Sequence, residues 1–202
     1  MRFMKWRFCE TDGLKDSVCQ NCKDENGAMP THNAARQADS QCLKIIAGIA
    51  PESVSVKSES GFTPAHFAAH KGYAECLRII ADVAPELLKV TDDGGFTPAH
   101  FAASEGHTDC LKIIAKLFPE LLKVTDDGGF TPAHFAAHVG YMDSLKFIAG
   151  VAPGSLTARS KYGLTPADLA ARQGDAKCLR IIAEVAPELL SEIAQNGDSP
   201  IK

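Results

Sequence analysis

The chain has 202 residues, of which 45% are hydrophobic and 23% charged, with a net charge of −4; this is the composition of a globular protein. Its slight acidity excludes a global field that would draw it to nucleic acid or to anionic lipid, and no apolar run approaches the ~18 residues needed to span a bilayer. The first residues lack the apolar stretch of a secretory signal, so none is expected.

Residues 1–27 match nothing else in the chain and read as a terminal tail. Residues 1–8 (MRFMKWRF) interleave three basic with three aromatic residues. Such a segment can touch a membrane surface or a partner, but it is too short to hold a helix alone; a frayed or docked tail is the plain expectation. Cys9, Cys19 and Cys22 follow, the last two as Cys-x2-Cys, and His32 could complete a Cys3His zinc set. Yet His32 falls where later parts of the chain have a histidine with a structural job, and a second Cys-x2-Cys or Cys-x2-His is missing, so no metal is expected.

From residue 28 onward the chain repeats itself. The stretch GFTPAHFAA at residues 95–103 recurs unchanged at 129–137 and 61–69, with worn copies at 163–171 (GLTPADLAA) and 27–35 (GAMPTHNAA), always in steps of 34 residues. Residues 85–103 and 119–137 are identical over 19 positions. A fixed period of this size means stacked supersecondary units, each packing only on its neighbours. The predicted units are 28–61, 62–95, 96–129, 130–163 and 164–197, with 198–202 as a short C-terminal tail. The first substitutes Asn33, Arg36, Gln37 and Asp39, and the fifth Asp168, Arg172, Gln173 and Asp175, as terminal repeats needing a polar outer face would.

Within a unit, Thr63-Pro64 is a helix start: the hydroxyl can cap free amides, and proline suits the first helical position. Gly72 ends this short helix with a left-handed turn. A second helix is predicted from about Ala74 to Ala84, with Cys76, Leu77, Ile79, Ile80, Val83 and Ala84 on its apolar stripe and Glu75, Arg78 and Asp82 opposite. Pro85 stops it. Leu87 and Leu88 are expected to tuck back toward the helices, and Asp92-Asp93-Gly94-Gly95 closes the unit with turn chemistry. Cys42, Cys76, Cys110 and Cys178 share one repeat position, taken by Ser144 in the fourth unit. They read as small buried hydrophobes, and with an odd total of seven cysteines they point to a reducing compartment.

The unit resembles the ankyrin repeat, whose pattern G-x-T-P-L-H-x-A-A-x-x-G-H appears here as Gly95, Thr97, Pro98, Ala99, His100, Ala102, Ala103 and Gly106-His107, with Ala99 replacing the usual leucine. Two features depart from it: the period is 34 instead of 33, and Ala84-Pro85, Phe118-Pro119 or Ala152-Pro153 replaces the glycine that ends the second helix. The resemblance implies an all-α solenoid of antiparallel helix pairs with projecting β-hairpin-like turns and a concave groove. It also implies that His66, His100 and His134 brace the turns by hydrogen bonds.

Catalysis finds little support. His66 and His70, like His134 and His138, are four apart on one helix and could share a metal, but Phe67 and Phe135 stand where a zincin needs glutamate. No nucleophile elbow, phosphate-binding loop or dinucleotide fingerprint occurs, so neither enzyme activity nor a cofactor is expected. The second and third repeats each carry five acids against three bases, which argues against nucleic acid.

Carried onto this chain, the family's contact positions are the turn tips Ser58-Glu59, Asp92-Asp93, Asp126-Asp127 and Ser160-Lys161; the residues before Thr-Pro, namely Phe62, Phe96, Phe130 and Leu164; and the ends of the first helices, His70-Lys71, Ser104-Glu105, His138-Val139 and Arg172-Gln173. Three aligned phenylalanines beneath acidic tips would form an apolar strip able to anchor a partner, or they would pack on one another as glue between units. The expected function is a monomeric, cytoplasmic scaffold binding a protein segment with apolar anchors and a basic flank. Were the source a bacterium living inside a host, it would be a host-directed effector adaptor in the host cytosol. The competing reading puts a zinc or redox site on Cys9, Cys19 and Cys22, with the repeats as its holder.

Overall fold

The computed structural model describes residues 27–189. Five helix pairs follow one another: α1 (Pro30–Arg36) and α2 (Ser40–Ile49), α3 (Pro64–Lys71) and α4 (Ala74–Val83), α5 (Pro98–Ser104) and α6 (Thr108–Leu117), α7 (Pro132–Val139) and α8 (Met142–Val151), α9 (Pro166–Arg172) and α10 (Ala176–Val185). The first helices stack on one another in order, and so do the second helices. Among the described residues there is no strand. The hairpin-like turns are closed by local bonds, as where the Asp92 N–H donates to the Phe96 carbonyl at 3.0 Å and the Gly95 N–H to the Asp92 carbonyl at 3.2 Å.

The first helices approach closely because their shared faces are alanine: Ala65, Ala68 and Ala69 in α3 and their counterparts in α5 and α7 are fully buried. Larger groups from the second helices, such as Leu77, Ile80, Leu111, Ile114, Leu145 and Ile148, complete the core. Cys76, Cys110 and Cys178 are buried at the expected position, with Ser144 likewise buried in the fourth unit and Cys42 half-exposed. Burial holds all four thiols protonated, pushing Cys110 and Cys178 up to about 12.

Each second helix ends two residues before its proline, and the residue between, such as Ala84 (φ −146°, ψ 75°), has left the helical region. The connector then winds into a short 3-10 turn, Pro85–Leu88 in the second unit, that buries Leu87 and Leu88. Glycine ends α5 for two reasons. Gly106 has φ +75°, and a Cβ there would lie 2.5 Å from the Tyr141 ring of the next unit.

Two expectations need correction. Val83 is 40% exposed, not part of the buried stripe; it lies three residues beyond Ile80, on the flank that rolls toward solvent. Asn33 is buried, not on a polar outer face, with its side-chain oxygen accepting from Arg36 at 2.6 Å. Asp39 and Asp175 act as helix N-caps, accepting from the Cys42 amide and from the Lys177 and Cys178 amides respectively. The cysteine contact and hydrogen bonds hold the Asp175 carboxyl below its ordinary range.

Candidate functional site

The turn-facing side of the array begins at the histidines. The Thr97 N–H donates to His100 Nδ1 at 3.0 Å, so the ring proton sits on Nε2, which reaches the Phe130 carbonyl at 3.1 Å. His66 binds Thr63 and the Phe96 carbonyl in the same way, and His134 binds Thr131 and the Leu164 carbonyl. Each ring is a capping-box partner for its own helix and a clamp on the next turn. His32 does this too, taking the Met29 N–H and reaching the Phe62 carbonyl. In the fifth unit Asp168 accepts the Thr165 N–H at 2.7 Å. A carboxylate can accept that amide but has no proton to pass onward, and among the described residues no further turn follows.

Burial pushes His66 and His100 down to about 4 and lowers His134. A proton added to Nδ1 would also evict the threonine amide. The unfolded rings take up protons near pH 6.5 while the folded ones stay neutral, so stability is fully present above pH 6.5 and falls as pH drops toward about 4. Urea unfolding should therefore show a loss on the order of several kcal/mol between pH 7 and pH 4.5. A stability that stays flat to pH 5 would contradict these buried neutral rings.

Outside the histidines runs a continuous aromatic ladder. Phe62 lies between Phe67 (centroids 5.4 Å apart) and Phe101 (5.2 Å); Phe96 lies between Phe101 (5.6 Å) and Phe135 (5.5 Å). Phe130 continues it with Phe135 at 6.1 Å and Tyr162 at 6.0 Å. The phenylalanines are half-buried and Tyr162 is 74% exposed. They pack between units and still present ring surface outward. Phe67, Phe101, Phe135 and Tyr162 escaped the sequence reading, although each phenylalanine directly follows a motif histidine; Tyr162 stands where the two preceding turns have Gly94 and Gly128.

The turns edge this ladder. Asp92 Oδ1 accepts the Gly94 and Phe96 amides at 3.0 and 2.8 Å, and Asp126 repeats the arrangement with Gly128 and Phe130. Asp126 is only 8% exposed, so these two carboxylates hold the turn shape. Asp93 and Asp127 are exposed. Neighbouring turns are tied by the Asp127 N–H to the Gly94 carbonyl (3.1 Å) and the Lys161 N–H to the Gly128 carbonyl (3.0 Å). Leu164 is half-buried at the end of the phenylalanine row.

At the ends of the first helices, His70 lies 3.7 Å from Glu105, with its ring edge-on to Phe101. Ser104 turns its hydroxyl back to the Phe101 carbonyl. Lys71, Glu105, His138, Val139 and Arg172 are exposed, and His138 meets Gln173 at 3.3 Å. His66 and His134 point into the turns and spend both ring nitrogens there, away from His70 and His138. No cluster of metal-ligating side chains occurs among the described residues. Cys9, Cys19 and Cys22, and with them the zinc or redox reading, lie outside the described residues.

On the opposite face, Ile49, Val83, Leu117, Val151 and Val185 recur at one repeat position, 40–56% exposed. No helix among the described residues is long and apolar enough to cross a membrane.

The family model described as Ankyrin repeats (3 copies) matches residues 31–121 and again 80–156. A comparison with curated protein sequences gives no match. Ankyrin repeats are generally protein–protein interaction modules and typically not enzymes. With the 34-residue period, the helix pairs and the histidine clamps, the match shows that this chain belongs to the ankyrin-repeat family.

Proposed function

We propose that the groove between the turns and the first helices binds a protein segment carrying apolar anchors with a basic flank. The observation that carries this reading is the aromatic ladder: half-exposed rings crossing three repeats, edged by the free carboxylates of Asp93 and Asp127. Aromatic surface at the centre of a patch supplies affinity, and charge at its rim supplies orientation and speed of encounter. The role is non-catalytic. The motif histidines, the obvious acid–base candidates, are buried and committed to hydrogen bonds.

Asp93→Asn with Asp127→Asn tests the charge without touching the ladder. Capture from cell lysate followed by binding kinetics on the captured protein should show association slowed severalfold and less sensitive to salt, with dissociation nearly unchanged. Identical association rates would remove the basic flank from the proposal.

A further inference from the structure

The chain itself contains a segment with the chemistry the groove is read to accept. Residues 1–8 carry Phe3, Trp6 and Phe8 between Arg2, Lys5 and Arg7, with no acid among them. The described chain begins at Gly27, against Glu59 and at the turn position shared with Gly61, Gly95 and Gly129. The chain therefore leaves the array on the turn side. Residues 9–26 can span up to about 60 Å when extended, while Phe62 and Phe130 are two repeat steps apart, about 20 Å at ordinary helix spacing.

Charge selects between the two apolar faces. The groove's middle carries exposed Asp93, Glu105 and Asp127 against exposed Lys71 and Lys161, and the turn carboxylates of Asp92 and Asp126 keep its balance negative; nearby Lys57 is engaged with the Thr91 carbonyl at 2.8 Å. On the opposite face the charges of α4, α6 and α8 balance, and several pair locally, as Arg78 with Glu75 and Lys112 with Asp109. Only the groove offers aromatic surface together with net negative charge.

We propose that residues 1–8 occupy this groove in the same chain, with Trp6 and its neighbouring phenylalanines on the aromatic ladder and the three basic residues toward Asp93 and Asp127. The tail thereby competes with the partner segment. This rests on the reading of the groove as a peptide-binding surface. An occupied groove lowers apparent affinity by the fraction of molecules left open, and an intramolecular competitor acts at a high effective concentration.

Trp6 is the only tryptophan, so its fluorescence reports the tail directly in the full chain. Docking predicts a blue-shifted emission, shielded from acrylamide, that moves to the red in high salt and in the Asp93→Lys, Asp127→Lys variant. Adding Arg2→Glu, Lys5→Glu and Arg7→Glu to that variant should restore the blue shift, and circular dichroism checks that the array is intact. Water-like emission in the unaltered chain overturns the proposal. So does a blue shift indifferent to both salt and the groove variant, or one that grows with protein concentration and so comes from a neighbouring chain. Reversing the three tail charges alone should raise partner capture severalfold. Tail release by the groove variant with capture unaffected by it would sink the partner reading and leave tail docking standing. Groove-dependent capture with water-like Trp6 would do the opposite.

Discussion

Replacing His100 with alanine should destabilise the array by roughly 3–5 kcal/mol in urea unfolding. The ring is 1% exposed and joins the Thr97 amide at one edge to the Phe130 carbonyl of the following turn at the other. Its removal orphans the buried Thr97 amide, worth about 1–3 kcal/mol, takes one of two hydrogen bonds from the Phe130 carbonyl, which keeps the Asp126 N–H, and leaves a void against the Phe96 and Phe135 rings. Because the bond crosses from one unit to the next, the loss weakens the interface through which stability is shared along the stack. The same change at His70, half-exposed and without a hydrogen bond at Nδ1, should cost less than about 1 kcal/mol. Equal effects at the two positions would remove the distinction between clamping and groove histidines.

Truncating Phe96 and Phe130 together should act on both stability and binding. Each ring is half-buried, Phe96 between Phe101 of its own unit and Phe135 of the next, and Phe130 between Phe135 and Tyr162 of its own, so each truncation should cost about 2 kcal/mol of stability. Affinity for the captured partner should fall by about a hundredfold, the scale on which central aromatic anchors contribute. Thermal unfolding separates the two effects, since affinity must be compared where the variant is fully folded. A folded double variant that binds within threefold of the unaltered chain would leave the ladder as inter-unit packing alone.

The repeat, its helix pairs and the histidine role were legible because each rests on local chemistry repeated at a fixed step. Thr97-Pro98 favours a helix start and Gly106 a helix end, and a histidine four times at one position marks a shared task. The ladder was half legible. Phe62, Phe96 and Phe130 stood out beside the turns, but nothing in the sequence marked Phe67, Phe101 and Phe135 as part of the same row. Phe101 and Phe135 meet Phe62 and Phe96 of the preceding unit, so that pairing becomes visible only when the units are stacked. The acidic pairs hid a division of labour for a similar reason. Asp92 and Asp126 bind backbone amides two and four residues on, whereas Asp93 and Asp127 stay exposed. Composition alone does not separate a turn-forming aspartate from a free one. Val83 was misplaced because a helical stripe read from sequence has no sharp edge; the neighbouring second helices decide where burial stops.

The central claim is that binding uses the aromatic groove. Its most direct test is amide hydrogen exchange on the array alone and saturated with the captured partner. Slowed exchange in residues 92–105 and 126–139, with α4, α6 and α8 unchanged, is the result this account predicts. Protection confined to α4, α6 and α8, with the turns and first helices unaffected, would move the binding surface to the opposite face and contradict it.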